Sequence, residues 1–230
     1  MKKIVLLAIP VFALAVLPPQ ILQAQGTTYL SNLDQSSSGT LAVGSDSWLA
    51  AMFQTGTNIG GYVLNSIQLA MNDASGNPTG FTAMIYAPSY PPGGVLPGSS
   101  LGTLTGSLNP VTSGIYTYTP AANLTLSPRI PYFIVLTAGT AIANGAYDWS
   151  LAGANSHNSS GGWLAPGFVW TSSNGSSWPP LPPGYPQFAI NATGVPEPGL
   201  LSLLALGGIF LVWHRRKAKV VIQHAAALSA

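Results

Sequence analysis

The chain is 230 residues long and only 5 % charged, with 26 glycines, 20 prolines and no cysteine. Lacking cysteine, it has neither a disulfide framework nor thiolate chemistry, so an exported body of this sequence must depend on its core. Six of the seven basic residues sit at the two ends (Lys2, Lys3, Arg215, Arg216, Lys217, Lys219), which leaves Arg129 against Asp34, Asp46, Asp73, Asp148 and Glu197 and gives nucleic-acid binding no electrostatic basis.

Residues 1–24 read as a secretory signal peptide. Lys2 and Lys3 precede an apolar run from Ile4 to Leu17, Pro18-Pro19 breaks the helix, and Leu22-Gln23-Ala24 places a small residue at the cleavage point. The run is short for a permanent membrane span. A signal helix cleaved after Ala24 is the expectation.

Residues 25–194 show no helical period of useful length. Runs rich in aromatic and branched residues recur between glycine, proline and asparagine clusters, as strands between turns do. "DSWLAAMFQT" puts Trp48, Ala50 and Met52 on one face and Leu49, Ala51 and Phe53 on the other. "GYVLNSIQLAM" sets Ile67, Leu69 and Met71 in period two, and "GFTAMIYA", "GIYTYTP", "PYFIVLTAG" and "GAYDWSL" repeat the theme. "NDASGNPTG" and "SYPPGGVLPGSS" read as turns. About ten strands of this kind fit an all-β domain, an antiparallel two-sheet sandwich of jelly-roll-like form. In "LTLSPRIPYFIVL", Pro128 and then Tyr132 at the start of a strand predict a tyrosine corner, its phenol bonded to an upstream backbone group.

Chemistry is scarce. His157 is the single histidine of the exported body and lies in the loop "GANSHNSSGG"; Ser156 beside it has no nucleophile-elbow setting. A glycosidase needs two carboxylates in different environments, but Asp34, Asp46 and Asp73 read as turn or strand-entry residues, with Asp148 within a strand. "NDASGNP" gathers Asn72, Asp73, Ser75 and Asn77 as hard oxygen donors, yet one carboxylate is a poor start for calcium, and a hairpin turn is the simpler reading. No catalytic, cofactor-binding or metal site is expected, and the chain reads as a non-enzyme. The segment from Trp163 to Phe188 offers Trp163, Trp170, Trp178 and Tyr185 as glycan contacts by ring stacking. Packing is the preferred reading for these rings, with Trp170 and Trp178 paired across a type I′ turn at Asn174-Gly175.

Residues 195–219 differ in kind. Pro196-Glu197-Pro198 holds the chain extended and withholds backbone donors. Gly199 to Trp213 is apolar on every face; as a helix it reaches about 22 Å, short of the ~30 Å hydrocarbon core. Arg215, Arg216, Lys217 and Lys219 follow as a stop-transfer cluster that stays on the cytoplasmic side. A transmembrane helix over 199–213 is therefore expected, and residues 220–230 continue as a cytoplasmic tail.

Pro-Glu-Pro, a short apolar helix and an arginine cluster, in that order, resemble the PEP-CTERM sorting signal. The resemblance implies an exosortase, a membrane cysteine protease, that cuts near Pro196-Glu197-Pro198 and passes an inner-membrane precursor to the cell surface or exopolysaccharide matrix. "DSWLAAMFQTG", "GYVLNSIQLAM", "SPRIPYFIVLTAG" and "GAYDWSL" look like the choice-of-anchor extracellular domains, type R in particular. That likeness implies no enzymatic activity. The expected function is a non-enzymatic surface or matrix protein associated with biofilm. The alternative is a carbohydrate-binding module using the Trp163–Phe188 aromatics.

Overall fold

A computed structural model describes residues 26–196, together with Gly207, Gly208 and Phe210. Fourteen strands follow one another among the described residues: β1 (Thr27–Ser31), β2 (Ser37–Val43), β3 (Trp48–Gln54), β4 (Tyr62–Gly76), β5 (Thr82–Ser89), β6 (Leu96–Thr105) and β7 (Gly114–Pro120), then β8 (Leu124–Leu126), β9 (Pro131–Thr137), β10 (Gly145–Ala152), β11 (Asn158–Ser159), β12 (Val169–Ser172), β13 (Tyr185–Pro186) and β14 (Phe188–Gly194). Every pairing is antiparallel. The predicted antiparallel all-β body is present.

Its sheet is continuous and curled. The order runs β11-β1-β14-β4-β7-β6-β5-β9-β3-β12, with β10 reaching β4, β2 and β13 beside that path. Where the sequence predicted two sheets, the β6–β7 pairs Leu104↔Pro120 and Thr105↔Thr119 join the halves into one ladder. The halves close on a single core because period-two alternation turns apolar residues of both toward it. From one half come Leu49, Ala51 and Phe53 of β3 with Ile134 and Leu136 of β9; from the other come Ile67, Leu69 and Met71 of β4, Trp149 of β10 and Ile190 of β14.

The half built on β3, β9 and β5 is apolar on its outer face as well. Ala50, Met84, Tyr86, Phe133 and Val135 form a second cluster there, covered by Trp170 and Trp178. A strand buried on both faces reads as a continuous apolar run, which accounts for Tyr132-Phe133-Ile134-Val135-Leu136. Buried polar groups are paired, as burial demands. Asn32 donates from Nδ2 to Pro186 O at 3.0 Å and accepts from Phe188 N at 2.8 Å. The Gln187 side chain donates to Gln35 O at 2.6 Å and accepts from the Ser150 hydroxyl at 2.5 Å.

Several expectations need correction. β4 does not stop before "NDASGNPTG" but runs on to Gly76, since β10 pairs with it from Asp148↔Asn72 to Gly145↔Gly76. β6 likewise begins within "SYPPGGVLPGSS", at Leu96, leaving a shorter loop after β5. A type I′ turn requires positive φ at both central residues; Gly175 has φ +75, but Asn174 is not in that region. The turn is held instead by Ser172 Oγ, which accepts from Gly175 N at 2.8 Å, and by Asn174 Oδ1, which accepts from Ser176 N at 3.0 Å. Trp170 consequently faces Pro180, and not Trp178, across it.

The signal helix over 1–24, the 220–230 tail, the basic cluster Arg215, Arg216, Lys217 and Lys219, and most of the 199–213 segment lie outside the described residues. Gly207, Gly208 and Phe210 are helical and exposed. Among the described residues no helix is long and apolar enough to cross a membrane.

The tyrosine corner is present: Ser127 N donates to the Tyr132 phenol at 2.9 Å. Tyr132→Phe leaves that part-buried amide without a partner and is expected to cost about 1 kcal/mol, read from the urea midpoint at unchanged slope.

Candidate functional site

The sheet delivers the chain to Val195 and Pro196 from a position inside the ladder. β14 lies between β1 and β4, with Thr27↔Ala192 on one side and Gly194↔Tyr62 on the other. Beyond Gly194 the pairing continues for one residue, Val195 N donating to Gly61 O at 3.0 Å. Asn58 closes the grip. Its Nδ2 donates to Gly61 O at 2.7 Å and to Val195 O at 3.0 Å, while its backbone N donates to the Tyr62 phenol at 3.0 Å. Gly60 is needed for close approach, because a Cβ there would stand 2.4 Å from Val195 O. Gly61, at φ +78, completes the turn in a conformation that glycine adopts at little cost. Hence the chain is held by the body up to Val195, directly against Pro196.

A family model described as the PEP-CTERM protein-sorting motif matches residues 194–217. The chain carries a PEP-CTERM sorting motif. The match begins at Gly194, the last residue of β14, and contains Pro196, Glu197, Pro198, Arg215, Arg216 and Lys217. The motif marks an exported protein, made as a membrane-associated precursor and handled by an exosortase-type system. No curated protein and no solved structure matches the chain.

The aromatic residues singled out as glycan contacts separate by burial. Trp163 is fully buried, stacked on Tyr29 at 5.3 Å and on Phe53 at 6.0 Å, with Tyr62 edge-on at 4.9 Å. Trp170 packs against Phe133 at 5.2 Å and Trp178 against Tyr86 at 6.3 Å, both buried in the outer cluster. Their faces are used inside the protein and offer no platform to a sugar. Tyr185 is half-buried and borders a shallow groove with Asn155, Ser156, His157 and Phe168. Phe168 is 54 % exposed and Leu164 49 %. Phe168 belongs to the aromatics of the Trp163–Phe188 segment that the sequence offers for binding, whereas Leu164, an apolar side chain between tryptophan and alanine, carries no mark of exposure.

The carboxylates do not converge. Asp34 accepts from Asn158 Nδ2 at 3.0 Å, Asp46 from Ile142 N at 2.9 Å and Asp73 from Ser113 N at 2.7 Å. For Asp34 and Asp46 these are the turn and strand-entry roles their sequence settings predict; Asp73 instead lies within β4. With Asn72, Asp73 and Ser75 in an extended strand, "NDASGNP" is not a donor loop, and among the described residues no group of three metal-ligating side chains forms.

Asp148 is the exception in environment. Burial raises its carboxyl above the ordinary carboxylate range, opposed by bonds from the Thr40 hydroxyl and the Ser75 backbone. A raised folded-state pKa means that the folded protein binds the proton more tightly than the unfolded chain does. Stability is therefore lost as pH rises from about 4 through the folded-state value. Asp148→Asn is expected to be more stable than the parent at pH 7 and to lose that advantage below pH ~4, by urea unfolding at the two pH values.

Proposed function

We propose that this is a non-enzymatic exported protein that an exosortase-type protease releases from the inner membrane to the cell surface or exopolysaccharide matrix. The observation that carries this reading is the sorting motif starting where the β-body ends. Residues 1–24 act as the signal peptide, 199–213 as the transmembrane helix, and Arg215, Arg216, Lys217 and Lys219 as the stop-transfer cluster. Residues 25–194 form the displayed domain, a jelly-roll-like sandwich of the choice-of-anchor type R kind; its strand pattern supports that assignment. That Asp34, Asp46 and Asp73 each accept from a different structural donor supports a non-catalytic role for them. Fractionation of strains with and without the exosortase tests the proposal. Full-length protein should accumulate in the inner membrane only when the protease is absent, and equal distribution in both strains would overturn it.

A carbohydrate-binding role is the second reading. It is favoured by the exposed Phe168 beside Tyr185 and His157, not by the buried tryptophans. Glycan-array binding that disappears in Phe168→Ala would establish it, and an array silent with the parent protein would dismiss it.

A further inference from the structure

The end of the body at which the chain departs differs from the opposite end in charge, while exposed apolar side chains stand at both, Ile59 at this end and Leu108 at the far one. The departing residue, Val195, is gripped by the loop between β3 and β4, through Asn58 Nδ2 at 3.0 Å and the Gly60 approach. That loop carries Ile59, 76 % exposed, the most exposed of the large apolar side chains among the described residues. Against the same loop lies Arg129, whose backbone N donates to Gly56 O at 3.0 Å. Arg129 is exposed and is the only Lys or Arg between residues 26 and 196.

The four aspartates of the body lie elsewhere, and the acidic residue next to the exit is Glu197 of the departing segment. β4 starts at this end with Tyr62 and spans 15 residues, so its Gly76 end lies as much as about 45 Å away at ~3.3 Å per residue. Asp73 is on the distal part of β4, Asp148 pairs opposite Asn72, and Asp46 precedes β3 and accepts from Ile142 N near the Gly76–Gly145 pair. Asp34 follows the Ser31 end of β1, away from the Thr27 end that pairs with β14 near the exit. The body is electrically polarised, with its one cation beside the exit.

Between Pro196 and the start of the apolar run at Gly199 there are three residue steps, which reach no more than about 11 Å. A rigid body tethered so closely must present its exit end to the lipid surface. An exposed apolar side chain beside an arginine suits the headgroup layer, where the first enters the interface and the second meets phosphate.

We propose that the loop Gly56–Gly61, through Ile59 and with Arg129 beside it, is a membrane-facing foot that rests on the anionic headgroup layer while the precursor is anchored. The foot rests on the reading of 199–213 as the anchor. It holds the body upright, and with the Asn58 grip it fixes the height at which Pro196-Glu197-Pro198 stands above the bilayer.

The absence of native cysteine makes a direct test simple. Ile59→Cys and, at the far end, Ala143→Cys are labelled with a fluorophore in the full-length chain. Each is reconstituted into protease-free vesicles containing anionic phospholipid and a headgroup-quencher lipid. The probe at position 59 should be quenched several-fold more than the probe at 143. Arg129→Gln in the Ile59→Cys background should lower the docked-to-undocked ratio about fivefold, and Asn58→Ala should weaken the contrast by freeing the tether. Co-flotation with equal quenching at both positions would overturn the foot while leaving the anchor intact. That result would also follow if the loop docks on the protease rather than on lipid. Failure to float with the vesicles would overturn the anchor reading, and the foot with it.

Discussion

Trp163→Ala is expected to destabilise the body by about 3–5 kcal/mol, the range for removing a large buried aromatic from a core that cannot collapse around the gap. The indole is enclosed by Tyr29 and Phe53 in stacking geometry and by Tyr62 edge-on, so the deletion abolishes three ring contacts at once. These rings connect β1, β3 and β4, and thus both halves of the curled sheet. A domain of this size has only about 5–15 kcal/mol in hand. Trp163→Phe should cost a fraction of the alanine value, because the indole Nε1 makes no hydrogen bond to the described residues. Urea unfolding of the exported body, followed by tryptophan fluorescence, checks both values. A near-neutral Trp163→Ala would mean that the ring is not in the core.

Replacing Pro196-Glu197-Pro198 with alanines is expected to leave export and insertion intact but to abolish processing, so that the full-length chain stays in the inner membrane. Proline fixes φ and lacks an N–H, so Pro196 and Pro198 disfavour helix here, and a protease cleft takes an extended chain. Three alanines would let the apolar segment extend its helix backward to the edge of the body, since alanine is the strongest helix former. Pulse-chase labelling and fractionation read the outcome. Normal conversion of the triple-alanine chain would show that the motif residues are not what the protease recognises.

Legibility in the sequence followed the range of the forces involved. β3 and the first ten residues of β4 were readable because burial against a core imposes period two on Leu49, Ala51, Phe53 and on Ile67, Leu69, Met71. The tyrosine corner was readable because Tyr132 and Ser127 are five residues apart. The distal part of β4 was not: Asn72, Asp73 and Gly76 have turn preferences, which the β10 ladder, pairing Asp148↔Asn72 and Gly145↔Gly76, overrides from far along the chain. The same holds for the fate of the tryptophans. Composition showed that Trp170 and Trp178 belong either to a core or to a binding face, and only the apolar outer side of β3, β9 and β5 decides for the core. Asn32 and Gln187, whose paired burial ties β1 to β14, carry no local mark. The sorting motif was legible, because its meaning lies in the order of proline, apolar and basic residues, and the family match over residues 194–217 bears out that much. The grip of Asn58 on Val195 needed the fold.

The most direct measurement is the intact mass of the mature protein from cells with an active exosortase. Cleavage of the signal peptide and processing at the sorting motif predict an N-terminus near Gln25 and a C-terminus near Pro196-Glu197-Pro198, with the apolar run and Arg215-Arg216-Lys217 gone. A mature protein that still ends at Ala230 would contradict the account, and residues 195–219 would then be an anchor only.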